Sequence, residues 1–363
     1  MNKPRTIDEI KDDIRDRVGR RAPFLHADKT EAEQALAKMA TFGGETWAAV
    51  WNEIGARWEA KAVAAEKSGN TAEAKNAFLK SYGYYGIARH PFPSTPGKYH
   101  GYAKTREMFL AASKYFEIPV ERVSIPFESK SIVGHLRLPK KLPAPMVMHW
   151  GGIDNWKEER HSFGEAFVKE GWGCFIIDSP GTGECPVLAG PEAHKLHTTV
   201  LDYLLTRPEV IADKIAVVGA SFGGHWSTKL AHAAADKLRA AVNWGGGIHY
   251  FFQPEWQERS RHADSYLFDL IEARANLFGK KTFDELCQVM PALSLLDQGW
   301  LDKPCAPLLI VNGKDDKQVP LEDFYLLLEH GNPKAIRLFP GGHMGAIPNI
   351  FKTVLAWLHE KLD

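Results

Sequence analysis

The sequence predicts a helical region over residues 1–118 followed by a mostly parallel β-sheet, covered by helices on both faces, over residues 119–363. Three observations carry this. Thr46 to Glu66 places Trp47, Val50, Trp51, Ile54, Trp58 and Ala62 close to a helical period. From Val120 onward, short apolar runs alternate with amphipathic stretches, as parallel strands buried on both faces require. Between Gly245 and about Trp300 that alternation lapses into an aromatic-rich helical segment, which reads as an insertion over about 246–300 carried between two strands.

Within the helical region, Ser68-Gly69-Asn70 breaks the first long helix, and a second runs from Thr71, a plausible N-cap, to about Tyr85. Arg89 to Gly97 contains three prolines and reads as a loop. A third helix follows from about Gly101 to Tyr115. Val120–Phe127 and Ser131–Leu138 read as strands joined by a polar turn. Further strands are expected at 145–149, 173–178, 214–219, 240–244, 307–312 and 335–339, with helices at about 161–170, 192–205, after Ser221, 321–329 and 348–362.

Composition narrows the function. Apolar residues make up 44% and charged residues 25%, and the formal net charge is zero. No excess of basic residues points to nucleic acid or an anionic membrane. Cys174, Cys185, Cys287 and Cys305 show neither CxxC pairing nor metal-ligand spacing, so free thiols, no metal and a reducing, cytoplasmic setting are expected. The N-terminus is charged, without the apolar core of a signal peptide, and no apolar run suits a membrane span.

The sharpest motif is Gly219-Ala220-Ser221-Phe222-Gly223, a G-x-S-x-G between a strand run, Ile215 to Val218, and a helical run, Gly224 to Ala235. A strand–turn–helix elbow lifts Ser221 Oγ and sets the Phe222 N–H at a helix start, where it can stabilise an oxyanion. A serine needs a base and an orienting carboxylate, and in this arrangement the chain order is Ser, acid, His. Asp316, in the turn after the 307–312 strand, is the expected acid, with Asp315 as alternative. His343, in the Gly341-Gly342-His343-Met344-Gly345 loop after the last strand, is the expected base. The second oxyanion donor belongs in the loop after the third strand, where Gly151 or Gly152 follows Trp150. Asp178-Ser179-Pro180-Gly181-Thr182-Gly183 lacks a Walker lysine and reads as a structural turn. His225 reads as packing, whereas His249, in the insertion, is a candidate substrate contact.

Taken in order, these motifs, with Tyr84-Tyr85-Gly86-Ile87-Ala88-Arg89 and Trp150-Gly151-Gly152-Ile153-Asp154, resemble the α/β-hydrolase branch of FrsA-like proteins, fungal polyketide-shortening hydrolases and 2,6-dihydroxypseudooxynicotine hydrolase. The resemblance implies an α/β-hydrolase fold: an eight-stranded sheet, a helical N-terminal cap domain and a helical lid. It implies a serine hydrolase acting on a carboxylic ester or on an activated C–C bond beside a ketone, without a cofactor. Some relatives use an extra acid for C–C cleavage, and Glu255 is the nearest candidate. Trp150, Tyr84, Tyr85 and His249 suit contact with a small, aromatic substrate. A homodimer is implied by resemblance only. The competing expectations are a non-catalytic binding or regulatory protein, or an acyltransferase, on the same fold.

Overall fold

The computed structural model describes residues 5–42, 44–261, 266–330, 334–345 and 347–363. The chain divides into two compact units, one of Glu121–Ser265 with Arg274–Asp363, the other of Asn2–Val120 with Tyr266–Ala273. The second grouping differs from the expected partition, because eight residues of the insertion belong with the helical unit. Their aromatic side chains explain it. Leu267 is part of the helical unit's core, and Phe268 packs 4.8 Å from the Trp47 ring.

The helical unit holds α1 (Ile7–Arg17), α2 (Lys29–Ala37), α3 (Gly44–Lys67), α4 (Thr71–Arg89) and α5 (Pro96–Ser113). Side-chain caps start four of them, α1, α2, α4 and α5: Thr6 with Glu9 in a capping box, Asp28, Asn70 and Thr95. Trp47 and Trp51 face Phe24 and Tyr84 in a fully buried aromatic cluster. Three sequence expectations are corrected here, the first being that Asn70, not Thr71, is the N-cap of α4. Helix α4 continues to Arg89, and α5 begins at Pro96, five residues earlier than the sequence pattern suggests. Proline breaks a helix interior but suits the first position, where its missing N–H has no partner to lose.

The sheet unit is an eight-stranded sheet in the order β1-β2-β4-β3-β5-β6-β7-β8. The strands are β1 (Glu121–Phe127), β2 (Lys130–Arg137), β3 (Ala144–Trp150), β4 (Gly173–Ile177), β5 (Val210–Ala220), β6 (Ala240–Trp244), β7 (Leu308–Gly313) and β8 (Lys334–Phe339). Strand β2 runs antiparallel to β1 and β4, and the remaining pairs are parallel. Strand β5 starts at Val210, earlier than its apolar run implies, because Val210 pairs with Ala144 across a register irregularity. Central strands β4, β6 and β7 are buried throughout, as a sheet covered on both faces demands. The remaining helices are α6 (His161–Lys169), α7 (Lys195–Leu205), α8 (Phe222–Ala233), α9 (Pro254–Ser260), α10 (Leu270–Leu277), whose first four residues belong to the helical unit, α11 (Phe283–Val289), α12 (Glu322–Glu329) and α13 (Ile347–Leu362). Helices α9 to α11 form the insertion between β6 and β7.

The insertion starts on a fixed point. The buried Asp323 carboxylate accepts from the N–H groups of Ile248, His249, Tyr250 and Phe251 at 2.9, 2.9, 2.7 and 3.1 Å. Among the described residues no helix is long and apolar enough to cross a membrane.

Candidate active site

Strand β5 ends in a backbone reversal at Ser221, with φ 55° and ψ −128°. An L-residue adopts such a conformation only where its surroundings hold it there. The Ser221 N–H donates to Trp244 O and its carbonyl accepts from the Gly224 N–H, both at 2.7 Å. The neighbouring glycines are required by close backbone approach. A Cβ on Gly219 would run into Gly223 O, and one on Gly223 would run into Gly151 O. The G-x-S-x-G spacing is therefore the consequence of packing the elbow against the end of β3.

Ser221 Oγ lies 2.8 Å from His343 Nε2, and His343 Nδ1 lies 2.7 Å from Asp316 Oδ2. The Asp316 side chain is fully buried. Its Oδ1 accepts from the Gln318 and Val319 N–H groups at 2.7 and 3.1 Å, and its Oδ2 accepts from Asn312 Nδ2 at 2.7 Å. Burial pushes the Asp316 carboxyl upward, but the imidazole, the amide and the backbone donors outweigh it and hold the group below its usual range. Asp315, the alternative acid, is exposed and instead accepts from the Gly341 N–H at 3.2 Å, tying the acid turn to the histidine loop.

Asn312 is a site residue that motif reading misses. It reaches Asp316 with its amide nitrogen and accepts from the Met344 N–H with its oxygen at 3.0 Å. One side chain thus fixes both loops. Its signal is a polar residue closing the apolar run Leu308 to Val311, since a buried amide in such a run must find partners. Met344 takes φ 68°, and its carbonyl accepts from Trp244 Nε1 at 3.1 Å.

The loop after β3 separates the two glycines. A Cβ on Gly152 would meet Ser221 Oγ at 2.9 Å and Phe222 N at 3.4 Å. A Cβ on Gly151 would instead collide with Asn155 O, and Gly151 O accepts from Ser179 Oγ at 2.7 Å. Gly152 thus flanks the serine, while Gly151 shapes the turn. Trp150 is buried, with its indole N–H donating to Gly223 O at 2.8 Å.

The other candidates make contacts of their own. His249 Nδ1 lies 2.7 Å from Ser294 Oγ, within the insertion. Glu255 is exposed in the first turn of the short helix α9. In the helical unit, Tyr85 donates to Glu59 at 2.7 Å, and Tyr84 donates to Glu31 and accepts from the Asp28 N–H, so both phenols are committed to its interior. The Asp178 turn is indeed a structural knot. Its carboxylate accepts from the N–H groups of Lys157 and Glu184 and pairs with the buried Lys157 ammonium, each at 2.8 Å.

A sheet of this order and an elbow at the end of its fifth strand define the class: this is an α/β-hydrolase-fold enzyme. More particularly, the chain belongs to the esterase FrsA-like family, whose profile matches residues 5–360. Esterase FrsA of Photobacterium profundum is 26% identical over 334 residues, covering 87% of this chain and 76% of that protein. The α/β-hydrolase gkaG of Penicillium citrinum is 29% identical over 231 residues, covering 59% of this chain and 54% of that protein. Among solved structures, 2,6-dihydroxy-pseudo-oxynicotine hydrolase superposes with a TM-score of 0.77 at 21% identity, covering 92% of this chain and 93% of that one. AbyA5 superposes with a TM-score of 0.75 at 20% identity, covering 98% and 93%. The protein is a hydrolase of the α/β-hydrolase type.

Proposed function

We propose that the protein is a serine hydrolase in which Ser221 is the nucleophile, His343 the base and Asp316 the orienting acid. The observation that carries this reading is the continuous hydrogen-bonded line from Ser221 Oγ through His343 to a buried carboxylate. With Asp316 accepting from Nδ1–H, the lone pair of Nε2 faces Ser221 Oγ–H and takes its proton as Oγ attacks a carbonyl carbon. The Phe222 and Gly152 N–H groups take the oxyanion, Gly152 being chosen over Gly151 because it flanks Oγ.

Collapse of the tetrahedral intermediate expels the leaving group, which takes the proton from His343. For an ester the leaving group is an alkoxide. For a β-diketone it is an enolate carbon, and the C–C bond breaks instead. Water, deprotonated by His343, then splits the acyl-enzyme. An ester or an activated C–C bond of an aryl ketone both fit this sequence. The C–C arm rests on the motif resemblance to polyketide-shortening hydrolases. Glu255 and His249 remain proposed substrate contacts on the insertion, while Tyr84 and Tyr85 drop out because their hydroxyls are already occupied.

Turnover of p-nitrophenyl esters and of an aryl β-diketone by the wild type and by Ser221→Ala tests this. Activity on either substrate that disappears in the variant is expected. Equal turnover by both proteins would refute the assignment of the nucleophile.

A further inference from the structure

The interior of the helical unit contains a cation that its surroundings do not neutralise well. Lys98 sits in the first turn of α5, with its side chain at 0% exposure. Its Nζ has no hydrogen-bond partner among the described residues. The nearest carboxylate oxygen, Asp269 Oδ2, is 3.9 Å away, beyond hydrogen-bonding reach. Two aromatic rings flank the ammonium, Phe92 at 5.9 Å and Phe268 at 5.8 Å, near the outer limit for a cation–π contact. His90 is buried beside them, its ring 5.8 Å from Phe268 and 6.2 Å from Tyr266, and its Nδ1 also lacks a partner among the described residues.

Each feature runs against stability. Desolvating an ammonium is costly and is offset only by close, well-bonded partners. A cation in the first turn of a helix also opposes the macrodipole, whose positive end lies there. Burial holds the ammonium down at about 8, Asp269 offsetting part of that and Arg89 adding to it. Residues that break local rules in this way are expected where they serve a ligand.

We propose that Lys98, His90, Phe92 and Phe268 form a binding site in the helical unit for a small organic carboxylate with a flat apolar body. Lys98 Nζ takes the carboxylate, the two phenyl rings sandwich the body, and His90 Nδ1 supplies a further polar contact. The Asp269 side chain, at 36% exposure, marks where the site reaches solvent. The site stands independently of the assignment of Ser221. Its ligand has two chemical sources: the acid that ester hydrolysis releases, or a separate effector.

The experiment is titration calorimetry of the full chain with benzoate, using benzamide as the neutral control. Saturable benzoate binding is expected, weakened at least about tenfold in Lys98→Met and kept within about threefold in Lys98→Arg, with benzamide inert. Undiminished binding by Lys98→Met, or no saturable binding by the wild type, would overturn the site. Melting temperature without benzoate provides a second readout. Lys98→Met is expected to melt at or above the wild type, because it removes an ill-compensated charge. A clear drop would show that Lys98 is a structural partner of Asp269 and would overturn the proposal. Benzoate that competes with the ester substrate identifies the reaction's own acid as ligand, and benzoate that changes kcat without competing identifies an effector.

Discussion

Asp316 and Asp323 lie a few residues apart, in the turn after β7 and at the start of α12, and both carboxylates are buried among backbone N–H donors. Their ionisation is nevertheless displaced in opposite directions. Burial pushes Asp323 up, and four backbone N–H groups do not fully offset it. Burial also pushes Asp316 up, but there an imidazole and the Asn312 amide join the backbone and bring it down. Backbone dipoles suffice to anchor a loop. At Asp316 an imidazole able to become cationic adds to the backbone donors and favours the charged form. In the proposed mechanism the first carboxylate serves chemistry, and the second serves architecture.

Substitutions separate the two. Asp316→Asn is expected to lower kcat on a p-nitrophenyl ester by roughly four orders of magnitude, because the amide favours the wrong imidazole tautomer. Asp323→Ala is expected to act on stability instead. Each buried N–H left without a partner costs about 1–3 kcal/mol, so denaturant unfolding should show a loss of about 3 kcal/mol or more. A collapse of kcat per folded molecule in Asp323→Ala, with stability intact, would erase the distinction.

Gly152→Ala sharpens it from the oxyanion side. Alanine keeps the backbone N–H, but its methyl would press on Ser221 Oγ and Phe222 N, and a fall in kcat of about 10²–10³, the size of losing one oxyanion donor, is expected from their displacement. An unchanged kcat would return Gly151 to consideration.

The pH dependence of stability gives a smaller but sign-specific contrast. Asp316 has a depressed folded-state pKa, so its contribution is present above the unfolded value and is lost as pH falls through the folded one. Asp323 has a raised folded-state pKa, so its contribution is complete at acid pH and is lost as pH rises through the folded value. The stability difference between wild type and Asp316→Asn should therefore shrink on acidification, while that for Asp323→Asn should grow. Urea unfolding at several pH values reads both slopes, and slopes of the same sign would contradict the pair. Smallest of all, Asp315→Ala should change kcat by no more than about threefold, since Asp315 makes only a backbone contact with the histidine loop.

Much of this is legible in the sequence because it depends on local rules. The elbow follows from strand, glycine spacing and helix, and the chain order of the acid and histidine loops follows from the alternation of strands and helices. The rest depends on contacts distant in sequence. Asp323 carries no local mark, since its partners lie on the other side of the insertion. Gly151 and Gly152 are adjacent and alike, and only the direction of the absent Cβ tells which one flanks Oγ. The start of α5 escapes a reading that weighs proline as a breaker and not as a first residue. The grouping of Tyr266–Ala273 with the helical unit rests on aromatic packing that periodicity does not encode.

The nucleophile is tested most directly by treating the wild-type protein with a fluorophosphonate and mapping the adduct by peptide mass spectrometry. A single stoichiometric adduct on Ser221, absent in Ser221→Ala and strongly slowed in Asp316→Asn, is the predicted result. No adduct on the folded protein, or an adduct on another residue that persists in Ser221→Ala, would contradict it.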